Sequence, residues 1–111
     1  MSNYVNVAAW VNQLLATPAE QRALLSPTER AHVLQFLESG TAVSVEYVVL
    51  RDPFDSGPEP RGFSTRAKYT DGVWNWDGRV TAIVLTYSYA PPADFLDYMR
   101  SVHYDARTKR S

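Results

Sequence analysis

The chain has 111 residues, 45% of them hydrophobic and 21% charged, with a formal net charge of -1. That length fits one domain with ample material for a core, and the balanced charge excludes both a solvated acidic coil and a strongly basic duplex binder. There is no cysteine, which excludes disulfides, thiolate chemistry and cysteine-based metal or iron–sulfur sites. Residues 1–106 are expected to form one α+β domain, and residues 107–111, Arg107 to Ser111, a flexible basic tail. No charged-then-apolar leader and no bilayer-length apolar run is read, so the expected compartment is cytoplasmic.

The first segment reads as a helix. Val7, Trp10, Val11 and Leu14 recur at helical spacing, and Ser2 or Asn3 is placed to cap it. Thr17-Pro18-Ala19-Glu20 and Ser26-Pro27-Thr28-Glu29 both have the form of a capping box with proline at the first helical position. The second opens a helix whose Ala31, Leu34 and Leu37, flanked by Val33 and Phe36, give a wide apolar face that stops at Gly40.

Periodicity changes after Gly40. Thr41 to Leu50 is valine-rich and alternates, with Val43, Val45, Tyr47 and Val49 on one face and Ser44 and Glu46 on the other. Three prolines and two glycines between Pro53 and Gly62 mark a surface loop. Phe63 to Tyr69 alternates again, with Arg66 and Lys68 opposite Phe63, Ala67 and Tyr69. Asp71-Gly72 supplies a tight turn, and a short strand Val73–Trp76 follows with both tryptophans on one side. The expected fold is a helical N-terminal half packed on a small antiparallel sheet of residues 42–50, 63–70 and 73–76, with short C-terminal helices. From Asp77 to Tyr89 the β-branched residues argue for strand. The spacing of Val80, Ile83, Val84 and Tyr87, behind a competent cap at Asp77, argues equally for helix. Pro92-Ala93-Asp94 opens a last helix carrying Phe95, Leu96 and Met99.

The run Thr70-Asp71-Gly72-Val73-Trp74-Asn75-Trp76, followed by Pro92-Ala93-Asp94-Phe95, resembles a widespread group of small bacterial proteins. In that group an Asp-Gly-x-Trp-x-Trp element precedes a short apolar helix and a Pro-x-x-Phe helix start. The resemblance covers roughly the C-terminal third, with an echo in Phe36 to Gly40. Members usually have proline after the second tryptophan, where this chain has Asp77. The resemblance implies a helix, not a strand, over Arg79 to Tyr87, and it transfers no activity.

Catalytic candidates are few. His32 sits opposite an apolar stripe and reads as a surface residue. His103-Tyr104-Asp105 contains a proton-transfer pair in principle, but in a terminal segment expected to be too loose to preorganise it. Asp71 beside two tryptophans has the look of a carbohydrate site, yet Asp-Gly at a strand connection is ordinary turn chemistry. No metal-ligand spacing and no glycine-rich phosphate cradle is present, so no cofactor and no metal is expected.

What remains is binding. With 3 Trp, 7 Tyr and 4 Phe, the chain is rich in the residues that dominate interfaces. The expected partner is another protein, bound without chemistry, as an immunity-like protein masks its target. Tyr89, Tyr104, Trp76, Arg66 and Lys68 are the partner-binding candidates, with Trp74 and Trp76 also fitting the core. A single-stranded nucleic-acid accessory role rests on the basic residues near Phe63, Tyr69 and the tryptophans, and a small hydrolase on the histidines and carboxylates.

Overall fold

A computed structural model describes residues 3–55 and 62–106; the side chains at 47–49, 65 and 66 lie outside that description. The elements are β1 (Asn3–Tyr4), α1 (Val7–Ala16), α2 (Pro27–Glu38), β2 (Thr41–Arg51), β3 (Gly62–Thr70), β4 (Trp74–Asp77), α3 (Gly78–Tyr87) and α4 (Ala93–Ser101). The sheet order is β1-β4-β3-β2. The three expected strands form, antiparallel to one another. A fourth, β1, joins them parallel to β4. Two residues carry no alternation to read, which is why the sequence signal for β1 is absent.

That extra strand moves the start of the first helix. Asn3 is spent in pairing, and the cap is Asn6, whose Oδ1 accepts the amide of Ala9 at 3.0 Å. Val7, Trp10 and Leu14 are buried as the spacing required. The Thr17 capping box is not made. Thr17 instead closes α1, its hydroxyl donating to the Gln13 carbonyl at 2.8 Å, and only a short 3-10 turn, Ala19–Gln21, follows. At Ser26 the forward half of the box holds, with the amide of Glu29 donating to Oγ at 3.1 Å. Glu29 does not reach back, because its carboxylate is taken by α4.

The ambiguous segment is helix, as the resemblance implied. Asp77 accepts the amide of Arg79 at 2.7 Å, and Val80, Ile83 and Val84 are wholly buried. Burial of such side chains is worth about 1.5–3 kcal/mol each, against tenths of a kcal/mol lost to β-branching in a helix. The helix ends at Ser88, in the left-handed conformation with φ 61. Arg30 of α2 donates to the terminal carbonyls of Val84 and Leu85, satisfying groups that a helix end leaves open.

Helices pack on one face of the sheet. There Trp76 meets Phe36 of α2, and both Trp74 and Trp76 meet Phe95 of α4, with ring centroids 4.9 to 5.6 Å apart. Cover on that face is less complete over β2 than its alternation implied: Val45 pairs with buried Ala67, yet Val43 and Val45 are 60% and 50% exposed. Register shifts between Ala42 and Ser44, Glu46 and Val49, and Leu50 and Arg51 interrupt the pairing of that edge strand with β3. Such bulges twist an edge away from pairing with another chain.

Candidate protein-binding surface

Asp71 sets the geometry of the site. It is 5% exposed, and its Oδ1 accepts the amides of Val73 at 2.9 Å and Trp74 at 2.8 Å, while Gly72 takes φ 97. The other carboxylate oxygen accepts the hydroxyl of Tyr98 from α4. This is the turn chemistry expected of Asp-Gly, reinforced by a helix, and it leaves no role for Asp71 as a surface acid.

The turn fixes which way β4 faces. Side chains alternate along a strand, so Trp74 and Trp76 go inward while Asn75 and Asp77 go to the opposite face. Register continues that face across the sheet. Tyr4 lies beside Asn75, which pairs with Thr70 and then Thr41; Asp77 pairs with Lys68 and then Ser44. No described element covers these residues. Tyr4 is 72% exposed, and Val73 stands exposed at the adjoining turn.

A cleft of about 300 Å3 lies within this face, lined by Tyr4, Val5, Lys68, Asn75, Trp76 and Asp77. Asp77 is committed to Arg79, with Oδ2 2.8 Å from Nη2. Lys68 is exposed and forms no ion pair with the described residues. The cleft thus joins an aromatic ring, an amide and a cation on a rigid, hydrogen-bonded floor.

The expected site residues separate. Lys68 is on this face, and the side chain of Arg66, its neighbour on β3, lies outside the described residues. Trp76 lines the cleft but is only 2% exposed, its indole held against Phe36 and Phe95. Its Nε1 finds no acceptor among the described residues. Tyr89 is in the core. It stacks on Tyr87 at 5.3 Å, accepts a hydrogen bond from Arg22 at 2.8 Å and has Phe54 at its edge. The signal the sequence lacked is Arg22, a distant cation that consumes the hydroxyl of Tyr89. Tyr4 was not singled out, because its exposure depends on the two-residue strand β1.

Tyr104 belongs to a second cleft, of about 550 Å3, between α2 and the turn after α4. It brings together both histidines of the chain, which the sequence separates by 71 positions. Tyr104 stacks on His32 with centroids 5.0 Å apart, and its hydroxyl donates to Glu29 at 2.6 Å. Arg100 holds the same carboxylate through two bonds of 2.7 and 3.0 Å. The Arg100 bonds, then that of Tyr104, hold the Glu29 carboxyl down to about 2. His103 and Tyr104 have φ 55 and 59, a conformation that costs non-glycine residues about 1–3 kcal/mol each. The segment is ordered despite that cost, contrary to the loose terminus expected, because Tyr104 is clasped by α2 and Ala106 is buried.

Among the described residues no three His, Cys, Asp or Glu side chains gather as a metal site, and no helix is long and apolar enough to cross a membrane. Comparison with family models, with curated proteins and with solved structures gives no match for the chain.

Proposed function

We propose that this chain is a protein-interaction module acting by binding alone, with the open sheet face around Tyr4 and Lys68 as its docking surface. The observation that carries this reading is the 72% exposure of Tyr4 beside the Lys68 cleft. Tyrosine offers a large, stiff contact area with a polar edge and is among the residues that dominate interfaces. The occupant is a folded partner protein that offers an apolar or aromatic group to Tyr4 and a carboxylate to Lys68, whose charge has no counter-ion in the described structure. Neutralising that partner by coverage, as an immunity-like protein does, requires nothing beyond such a face.

The two alternatives have less support. Single strands are held by rows of exposed aromatics between cations, but Trp74 and Trp76 face the core, and among the described residues Tyr4 is the one tyrosine, tryptophan or phenylalanine left largely exposed. A hydrolase needs an activated nucleophile. In the histidine cleft the hydroxyl of Ser39 donates to the Gln35 carbonyl at 2.6 Å instead of to an imidazole.

The test is a hydrogen-exchange footprint of the full chain, alone and with each protein encoded by flanking genes. A partner that slows exchange at residues 3–5 and 68–77 is the expected result. Protection confined to other segments would refute the docking surface.

A further inference from the structure

The helix layer stops short of one edge of the sheet. Tyr69 pairs with the inward-facing Trp76, so Ala67, two residues away, also faces the helices, and it pairs with Val45 of β2. Ala67 is 2% exposed, whereas Val45 is half exposed. Beside them lies a groove of about 380 Å3. Thr81, Ala82 and Leu85 of α3 stand on one side of it, Phe63 and Tyr69 of β3 on the other, and Glu38 at the end where β2 begins. Leu85 is 52% exposed. Contiguous apolar surface with a polar rim marks an interaction site.

The groove follows the length of β2. Tyr69 pairs with Ala42 at the start of that strand, and Phe63 lies between Ser64 and Gly62, the partners of Leu50 and Arg51 at its end. The two ends carry opposite charges. Glu38 closes α2, whose last turn holds no basic residue, and Arg51 closes β2. Both are exposed, and neither forms an ion pair among the described residues. Arg30, which reaches Leu85, is spent on the carbonyls that end α3. Extended backbone rises about 3.3 Å per residue, so β2 holds the two charges about 30 Å apart, several screening lengths. Neither can neutralise the other within one chain.

A partner helix carrying a cation would answer Glu38 and leave Arg51 unmatched. A second copy turned by a two-fold axis answers both, because the start of one β2 then meets the end of the other. The bulges in β2 keep its backbone edge from extending the sheet, so the contact is made by side chains over the groove. We infer that this chain forms a two-fold dimer through the helix-side face of β2, with Val45 and Leu85 buried in the contact and Glu38 of each copy against Arg51 of the other. The face around Tyr4 lies on the opposite side of the sheet and stays open. The dimer therefore presents that face twice, whatever it binds.

The experiment is sedimentation equilibrium of the full chain over a concentration series, which should show a monomer–dimer equilibrium. Leu85→Lys and Val45→Lys should each give a monomer with the circular dichroism of the parent chain. Glu38→Lys and Arg51→Glu should each self-associate about tenfold more weakly, since like charges then meet at both ends. An equimolar mixture of those two variants should recover the dimer, because both end contacts are again between opposite charges. Tyr4→Ala should leave the dimer in place, which separates this contact from the docking face. A monomer at every concentration, a dimer indifferent to both lysine substitutions in the groove, a mixture no tighter than its components, or loss of the dimer in Tyr4→Ala would overturn the assignment.

Discussion

A β-carbon on Gly40 would lie 2.5 Å from Cζ2 of Trp76 and 2.8 Å from its Cη2. The link between α2 and β2 is therefore cut to the shape of one indole ring, at the point where the helical half of the chain passes into the sheet. Gly40 is needed for space and not for a left-handed backbone, since its φ is not among the positive ones. The two clashing atoms belong to the outer edge of the indole, which phenylalanine lacks.

That relationship predicts a compensating pair. Gly40→Ala should lower the melting temperature, by a destabilisation of about 1–3 kcal/mol typical of overpacking. Trp76→Phe should cost less than most large-to-small changes, because it also removes a buried N–H with no acceptor among the described residues, a group that costs about 1–3 kcal/mol. The double variant should be more stable than the sum of the singles implies. Strict additivity in chemical denaturation would contradict the contact.

The Asp71 turn predicts a graded series. Tyr98→Phe removes one hydrogen bond to a buried carboxylate and should cost roughly 1.5–3 kcal/mol. Asp71→Ala removes that bond together with those from Val73 and Trp74, and should cost more. If Asp71→Ala proved the milder change in denaturant titrations, the account of the turn would fail.

Two ionisable contacts predict opposite pH limits. Glu29 is held down to about 2 by its bonds to Arg100 and Tyr104. Its contribution is thus present above the usual carboxylate value and is lost as pH falls from about 4.5 towards 2. Glu29→Gln should flatten the fall in melting temperature over that range.

Tyr87 is pushed up to about 12, first by burial and then by its hydrogen bond to Asp52. The protonated form is the one favoured in the fold, so its contribution is complete below about 10 and disappears as pH rises towards about 12. Tyr87→Phe should weaken that alkaline dependence. An unchanged alkaline profile would show that the Asp52 contact does not persist in solution.

Much of the fold was legible because it rests on local signals. The Ser26 cap, the stop at Gly40, the Asp71-Gly72 turn and the three longer strands each depend on neighbours in sequence. The helix over Gly78–Tyr87 was not legible from its own residues, since Val80, Ile83 and Val84 satisfy both periods; their complete burial in the core decides it. The site was hidden for a related reason. Tyr4 is a surface residue only because Asn3 pairs with Trp74, and Tyr89 is a core residue only because Arg22 reaches it. His32 and His103 share a cleft through the clasp of Tyr104 on Glu29. Each is a contact between distant segments with no repeat or spacing to announce it.

The central claim, that the open sheet face binds a partner while the tryptophans behind it hold the fold, is tested most directly by measuring affinity and melting temperature together. The variants are Tyr4→Ala, Lys68→Glu and Trp74→Ala, with the partner identified by the exchange footprint. Tyr4→Ala and Lys68→Glu should lose about 2 kcal/mol or more of binding with melting nearly unchanged. Trp74→Ala should lose about 3–5 kcal/mol of stability through the cavity it leaves. Full affinity in both surface variants, or lost affinity in a normally stable Trp74→Ala, would contradict the account.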